Sequence, residues 1–259
     1  MRAFIRIPWG IYQGDPNWVP PMLRRERRLL RPAENPFFEH ASIQPFMAFR
    51  DGRVVGRIAA IIDVRHNDYH KEKAGFFGFF ECIDDQSVAG TLLQEACNWL
   101  AKKGMTVIRG PFNPSTSDTL GILVDGFNSP PAMLMAYNPP YYSRLLERAG
   151  MTKARDLYAY FMHSSESEIP PKIERVAAIV RKRHRVTVRT ANLKRIRAEL
   201  DLVKLIHNEA SGRNWGFVPK TEAELDRLAH DLKPFVDPDL AIFAFVDGEP
   251  AGFSLALPD

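Results

Sequence analysis

The spacing of apolar positions along the chain changes period several times, and each change predicts an element. Phe46 to Asp63 sets an apolar strand, the Asp51-Gly52 pair and a second strand opened by glycine and small residues in a row, which predicts a β-hairpin closed by a tight turn that tolerates positive φ. Gly75 to Ile83 is apolar almost throughout and predicts a strand buried on both faces, with Gly78 marking a bulge or a close backbone approach. Ser87 to Lys103 sets Val88, Leu92, Leu93, Ala96, Trp99 and Leu100 at helical spacing, and Gly104 closes that helix. Thr106 to Gly110 predicts a strand, Pro139 to Ala149 a short helix stopped by Gly150, and Leu157 to Met162 a further strand. Upstream, Gln13 to Arg31 predicts a proline-interrupted stretch ending in an amphipathic helical turn. Glu166 to Arg185 predicts a connecting helix with Ile169, Ile173, Val176 and Val180 on one side. Val186 to Thr190 then predicts a strand, followed by helices over Ile196 to Ala210 and Thr221 to Leu232, the second opened by a Thr221/Glu224 capping box.

The segment Ala48 to Asp63 matches Ala244 to Asp259 at an offset of 196 residues, with seven of sixteen positions identical. The pairs are Ala48/Ala244, Phe49/Phe245, Asp51/Asp247, Gly52/Gly248, Gly56/Gly252, Ala60/Ala256 and Asp63/Asp259. Upstream, the Asn-Trp and Val-Pro pairs of Asp15 to Pro20 recur in the same order between Arg213 and Pro219. Two copies of one unit are therefore expected, at 1–163 and 186–259, with 164–185 as the connecting helix. The first copy runs on well past its hairpin, whereas the second stops as its hairpin closes. The expectation is a truncated second copy, lacking its C-terminal half.

Composition narrows the class. In 259 residues, 45% are hydrophobic and 25% charged, with 35 Lys plus Arg against 31 Asp plus Glu, which predicts one or two globular domains rather than a disordered chain. The longest apolar runs fall short of the ~20 residues a membrane-spanning helix needs. The first residues do not follow the pattern of a secretory signal, so a cytoplasmic location is expected. Cys82 and Cys97 fall in a predicted strand and helix and read as packing residues. The net charge of +4 is too small and too dispersed to indicate nucleic acid, and the clusters Arg24, Arg25, Arg27, Arg28 and Lys182, Arg183, His184, Arg185 read as solvated helix faces. His66 and His70 have a spacing that suits metal ligands on a helix, but no third ligand accompanies them. They read as a solvent-facing turn, and no metal is expected. Phe76, Phe77, Phe79 and Phe80 read as sheet core, since no Arg or Lys interleaves them as a nucleic-acid platform would require. No phosphate loop, nucleophile elbow or paired-cysteine motif occurs.

The element order, together with Tyr141-Tyr-Ser-Arg-Leu-Leu-Glu-Arg-Ala-Gly-Met151, resembles the GNAT superfamily of acyl-CoA N-acyltransferases, with Tyr142, Leu146, Gly150 and Met151 at the matching places. The doubling is similar to its tandem-domain members, among them the Fem-type transferases. The resemblance implies an α/β (α+β) fold: a GNAT-like mixed sheet flanked by helices, followed by an incomplete second copy. It implies transfer of an acyl group from a thioester, with acyl-CoA as co-substrate, to a small-molecule amine. The thioester arm would pair with a splayed strand, here the backbone of Phe79, Phe80, Glu81 and Cys82. The pyrophosphate would meet the start of the following helix at Ser87, Val88, Ala89 and Gly90, and Asn138, a candidate cap of the late helix from Pro139, is counted with the cofactor-binding residues. The loop departs from the family pattern, because Asp84 and Asp85 place two carboxylates where an anion should bind. In the family's terms Glu81 would drain the amine proton and Tyr142, or Tyr141, would protonate the thiolate. The long polar insertion after Gly110 nominates Asn113, Ser115, Ser117 and Asp118 for substrate contact. Two other readings stand beside this one: a degenerate non-catalytic module, and a Fem-like enzyme whose basic clusters contact aminoacyl-tRNA.

Overall fold

Helix α1 (Arg2–Ile11) opens the chain with Phe4, Ile5 and Ile7 buried on one side. The proline-interrupted stretch continues into the short, arginine-rich α2 (Leu23–Leu29). The computed structural model describes residues 1–116, 118–161, 169–183 and 185–258, and these divide into two compact units, Met1–Ala154 and Arg155–Asp259.

The first unit is built on a four-stranded mixed sheet. β1 (Ala41–Arg50) and β2 (Arg53–Asp63) form the expected hairpin, and Asp51 and Gly52 both take positive φ at its turn. β3 (Ala74–Cys82) pairs antiparallel with β2, and β4 (Val107–Arg109) pairs parallel with β3. Between β2 and β3 lies α3 (Val64–His70), capped by the Asp63 carboxylate, which accepts from the His66 amide. α4 (Gln86–Lys102) crosses from β3 to β4. After the two short strands β5 (Phe112–Asn113) and β6 (Thr119–Leu120), the helix α5 (Tyr141–Arg148) follows.

Both faces of the sheet are covered, which is why β3 is apolar along nearly its whole length. On one face Ile58, Ala60, Phe77, Phe80 and Cys82 pack with Leu92, Leu93, Ala96 and Leu100 of α4 and with Tyr142, Leu145 and Leu146 of α5. On the other, Ala59 and Phe79 meet Phe4, Ile5 and Leu30, while Ile61, Ala74 and Phe76 meet Phe37 and Phe112. A bulge sets this division. Arg57 faces Glu81 and Ala59 faces Gly78, so Phe79 and Phe80 together oppose the single residue Ile58. The extra residue, with Phe79 at φ +52°, brings Phe77 and Phe80 to the α4 side and turns Phe79 and Glu81 to the α1 side.

β3 and β4 pair only from Ala74/Val107 to Phe76/Arg109. Beyond that point the chain after Arg109 swings across β3 at its glycine. A Cβ built on Gly78 would lie 1.6 Å from the Phe112 carbonyl oxygen, so only glycine fits there.

In the second unit, β7 (Val186–Thr190), β8 (Ala241–Val246) and β9 (Glu249–Leu255) form an antiparallel sheet. The helices α6 (Pro171–Arg183), α7 (Ile196–Ser211) and α8 (Glu222–Leu232) accompany it, and α8 carries the expected capping box. The β8–β9 hairpin reproduces the β1–β2 register. Ala48 faces Gly56 and Phe49 faces Val54, while Ala244 faces Gly252 and Phe245 faces Pro250, each with a one-residue shift between the pairs.

Several expectations change. Leu157 to Phe161 forms no strand; Tyr160 and Phe161 are 92% and 91% exposed, because an apolar run becomes a strand only where a partner edge is present. Met162 and His184 lie outside the described residues. Ile173, Val176 and Val180, expected on a packed side of the connecting helix, are exposed on α6, which buries no residue. His66 is buried rather than solvent-facing. Its Nε2 lies 2.7 Å from Glu72 Oε1, and Glu72 also accepts from both terminal nitrogens of Arg109. α1 itself escaped the periodicity reading.

Two predictions follow from this packing. Gly78→Ala should force Phe112 and β5 off the sheet and cost about 1–3 kcal/mol or more, as measured by urea unfolding. Arg109 donation, with help from His66, holds the Glu72 carboxyl down to about 2. Its stabilising contribution is therefore complete above the ordinary Glu range and is lost as pH falls towards 2. The stability gap between the parent and Glu72→Gln, read by urea unfolding, should be open at pH 7 and narrow steadily below pH ~4.

Candidate functional site

The bulge and the parting strands create a polar cluster inside the first unit. Arg57 on β2 and Glu81 on β3 are cross-strand neighbours whose side chains share the α1 side of the sheet. Arg57 Nη2 stands 3.5 Å from Glu81 Oε1, and Arg57 Nη1 donates to the Phe4 carbonyl at 2.9 Å. The guanidinium also lies 5.0 Å from the centre of the Phe4 ring and 5.9 Å from that of Phe79. Its Nε, buried, meets no hydrogen-bond acceptor among the described residues.

Two tyrosines from α5 close the edge of β3 that β4 has left. The Tyr142 hydroxyl donates to Glu81 Oε2 at 2.7 Å and accepts the Cys82 amide at 2.9 Å. The Tyr141 hydroxyl donates to the Cys82 carbonyl at 2.9 Å. Nearby, the Asn113 side-chain oxygen accepts the Phe79 amide at 2.5 Å. Three backbone groups that would otherwise face an unpaired edge are thus held by side chains. Tyr12, from the end of α1, completes the group beside Glu81 and Tyr142 and donates to the Tyr137 carbonyl at 3.3 Å.

Burial dominates the electrostatics. It raises the Glu81 carboxyl above the usual carboxylate range, against the opposing pull of Arg57 and of the tyrosine hydroxyls. Burial, followed by the charge of Glu81, raises Tyr142 and Tyr12, so both hydroxyls keep their protons. Glu26, buried on α2, is raised by desolvation despite Arg57 and Arg25, with the charge of Asp118 adding to the rise. The cluster therefore holds one fixed cation and two carboxyls that burial biases towards the neutral form. Burial also pushes the Cys82 thiol up to about 12, which suits a packing residue.

Glu81, Tyr142 and Tyr141 come together, and Asn113 joins them through Phe79. Ser115 donates to Asp118 at 2.7 Å, and Asp118 is buried, which ties the inserted loop beside Glu26. Ser117 lies outside the described residues. Phe80 is buried against Tyr142, their ring centres 5.1 Å apart. Asn138 is buried too, but it clamps the backbone of Leu123 and the Pro139 carbonyl instead of capping α5, whose cap is Pro140. The start of α4 is already engaged. The Asp85 carboxylate accepts from the Ser87 and Val88 amides, the Ser87 hydroxyl and Arg50, while Asp84 pairs with Arg144. The Ala89 amide donates to the Asp85 carbonyl, and Gly90 lies one residue further along the helix. A pyrophosphate does not fit at this helix end without displacing Asp85. Sequence reasoning missed Arg57, Tyr12 and Glu26. Arg57 alone carried a signal, as a single charge inside the apolar run of β2.

No family model matches the chain, and no solved structure does. Among curated proteins, Protein YghO of Escherichia coli is 35% identical over 259 residues, covering 100% of this chain and 66% of that protein. The bacterial ceramide synthase of Caulobacter vibrioides is 38% identical over 260 positions, covering 100% of this chain and 67% of that protein. The chain thus spans about two thirds of the length of each. Identity of this degree over the whole length of the chain places it in the protein family of the Caulobacter ceramide synthase and YghO.

Proposed function

We propose that this chain belongs to an N-acyltransferase of the GNAT kind that moves a fatty acyl group from a thioester to the amine of a long-chain amino alcohol. The observation that carries the reading is Glu81: a buried carboxylate, hydrogen-bonded by Tyr142, at the bulge where β3 leaves β4. The name of the Caulobacter relative supports the product class, since a ceramide is the amide of a fatty acid with such an amine.

The chemistry requires a neutral amine nitrogen to attack the thioester carbonyl, a C–N bond to form and the C–S bond to break. The amine must give up a proton, and the departing thiolate must gain one. A carboxyl with a raised pKa is a stronger base than an ordinary one, and Glu81 is the group suited to take the amine proton. Arg57 steadies the carboxylate before that transfer. Tyr142, bonded to Glu81 and keeping its own proton, is placed to relay a proton back towards sulfur. The donor is proposed as an acyl thioester whose carrier is held away from the start of α4, where Asp85 sits.

The test is amide formation by the purified chain offered a long-chain amino alcohol with acyl-CoA or with an acyl carrier thioester, read by mass spectrometry. Amide from either donor supports the reading, and none from both overturns it. Glu81→Gln should lower turnover by about 10²–10⁴-fold with the melting transition retained. Because Glu81 acts ionised and its pKa is raised, the parent rate should fall as pH drops through a midpoint above the ordinary Glu range. In Glu81→Gln that acid limb should vanish. Tyr142→Phe leaves the Cys82 amide without its acceptor, so it should lose both activity and about 1–3 kcal/mol of stability.

A further inference from the structure

We propose that residues 15–22, helix α2 and residues 121–137 together form a docking surface for an anionic lipid bilayer, at the border of the Glu81 cluster. Large apolar side chains stand in water along these segments: Val19 is 56% exposed, Met22 60%, Val124 64%, Met133 47% and Met135 45%. They are held outward by a fixed scaffold. The two loops are stitched together, since Asn17 Nδ2 donates to the Phe127 carbonyl at 3.1 Å and the Tyr137 hydroxyl donates to Asp15 at 2.8 Å. Tyr12 stacks on Trp18 with ring centres 5.0 Å apart and meets Tyr137 at 6.0 Å. Prolines 16, 20, 21, 130 and 131 further restrict these segments.

Charge selects the occupant. α2 follows Met22 directly, with Arg24 and Arg27 exposed and Arg25 half-buried beside Glu26. The exposed acid on these loops is Asp125, since Asp15 is engaged by Tyr137. Aliphatic and thioether side chains beside a cluster of arginines match a headgroup region, which takes the apolar groups into its acyl boundary while its anions meet the guanidinium groups. The same elements reach the site. Glu26 of α2 lies within the field of Arg57 and Asp118, and Tyr12 belongs both to the aromatic stitch and to the Glu81 group. A substrate dissolved in the bilayer would thus enter beside the catalytic carboxylate. That last step rests on the proposed acyl transfer; the docking does not.

The experiment is co-sedimentation of the chain with vesicles of phosphatidylglycerol and phosphatidylethanolamine, against vesicles of phosphatidylcholine alone. The chain should partition into the anionic vesicles and be released by salt. Arg24→Glu with Arg27→Glu should weaken partitioning about ten-fold or more. Val19→Ser, Met22→Ser, Met133→Ser and Met135→Ser combined should weaken it too, with unchanged circular dichroism melts for both variants. Failure of the parent to bind, equal binding to both vesicle types, or full retention by both variants overturns the proposal. Binding to an acidic carrier protein with no vesicle binding also overturns it. Amide formation from a short-chain thioester and a water-soluble amine should be unchanged in these variants. An inactive parent that still binds anionic vesicles would count against the acyl-transfer reading and leave the docking surface standing.

Discussion

A buried backbone edge has to be satisfied, and in the first unit that demand organises everything around β3. β4 pairs with β3 for three residues and then leaves, while β3 runs on through a bulge to Cys82. The exposed amides and carbonyl are answered by side chains from far along the chain: Asn113 for Phe79, Tyr142 and Tyr141 for Cys82. Each of those contacts fixes an element. Asn113 fixes the inserted loop over Gly78, and the tyrosines fix α5 against α4 and the sheet. Without the parting there would be no edge to answer, and Glu81 would have no tyrosine.

The cost of that arrangement is electrostatic. Taking Glu81, Glu26 and Arg57 out of water is unfavourable, and a single guanidinium at 3.5 Å does not offset two buried carboxyls. The carboxyls respond by binding protons more tightly. A cluster that is unfavourable for stability is a suitable place for proton transfer, since its two carboxyls hold a proton more tightly than surface carboxylates do. Asp85 shows the opposite regime. It is held by two amides, a hydroxyl and Arg50, its carboxyl lies far below the usual range, and it caps a helix. Two acidic residues four positions apart on one strand-to-helix connection thus do opposite things, and their surroundings decide which.

The repeated hairpin shows how local rules carry through a chain. Asp51-Gly52 and Asp247-Gly248 adopt the same positive-φ turn, and each is followed by the same one-residue register shift. In both hairpins the turn closes in register, and the extra residue lies just beyond it in the second strand, at Val55 and at Ala251. In the β1–β2 hairpin the second strand continues with Arg57, opposite Glu81; in the β8–β9 hairpin the residue at the matching offset is Phe253. The two hairpins share a frame but not its polar residues.

What the sequence determined by itself was whatever depends on neighbours along the chain. The hairpin turns, the helix of α4, the stop of α5 at Gly150, the capping box at Thr221 and the buried character of β3 all follow from period, caps and glycine. The resemblance carried by the Tyr141 to Met151 stretch implies a role for both Glu81 and Tyr142, whose side chains meet at 2.7 Å. Tertiary structure decided the rest. Leu157 to Phe161 reads as a strand and is none, because a strand is made by its partner and not by its own side chains. His66 reads as a surface residue and is buried, because Glu72 and Arg109 arrive from other elements. Arg57, Tyr12 and Glu26 share a site although no spacing links them, since hydrogen bonds and charge act across space and the fold alone sets which residues come within their reach.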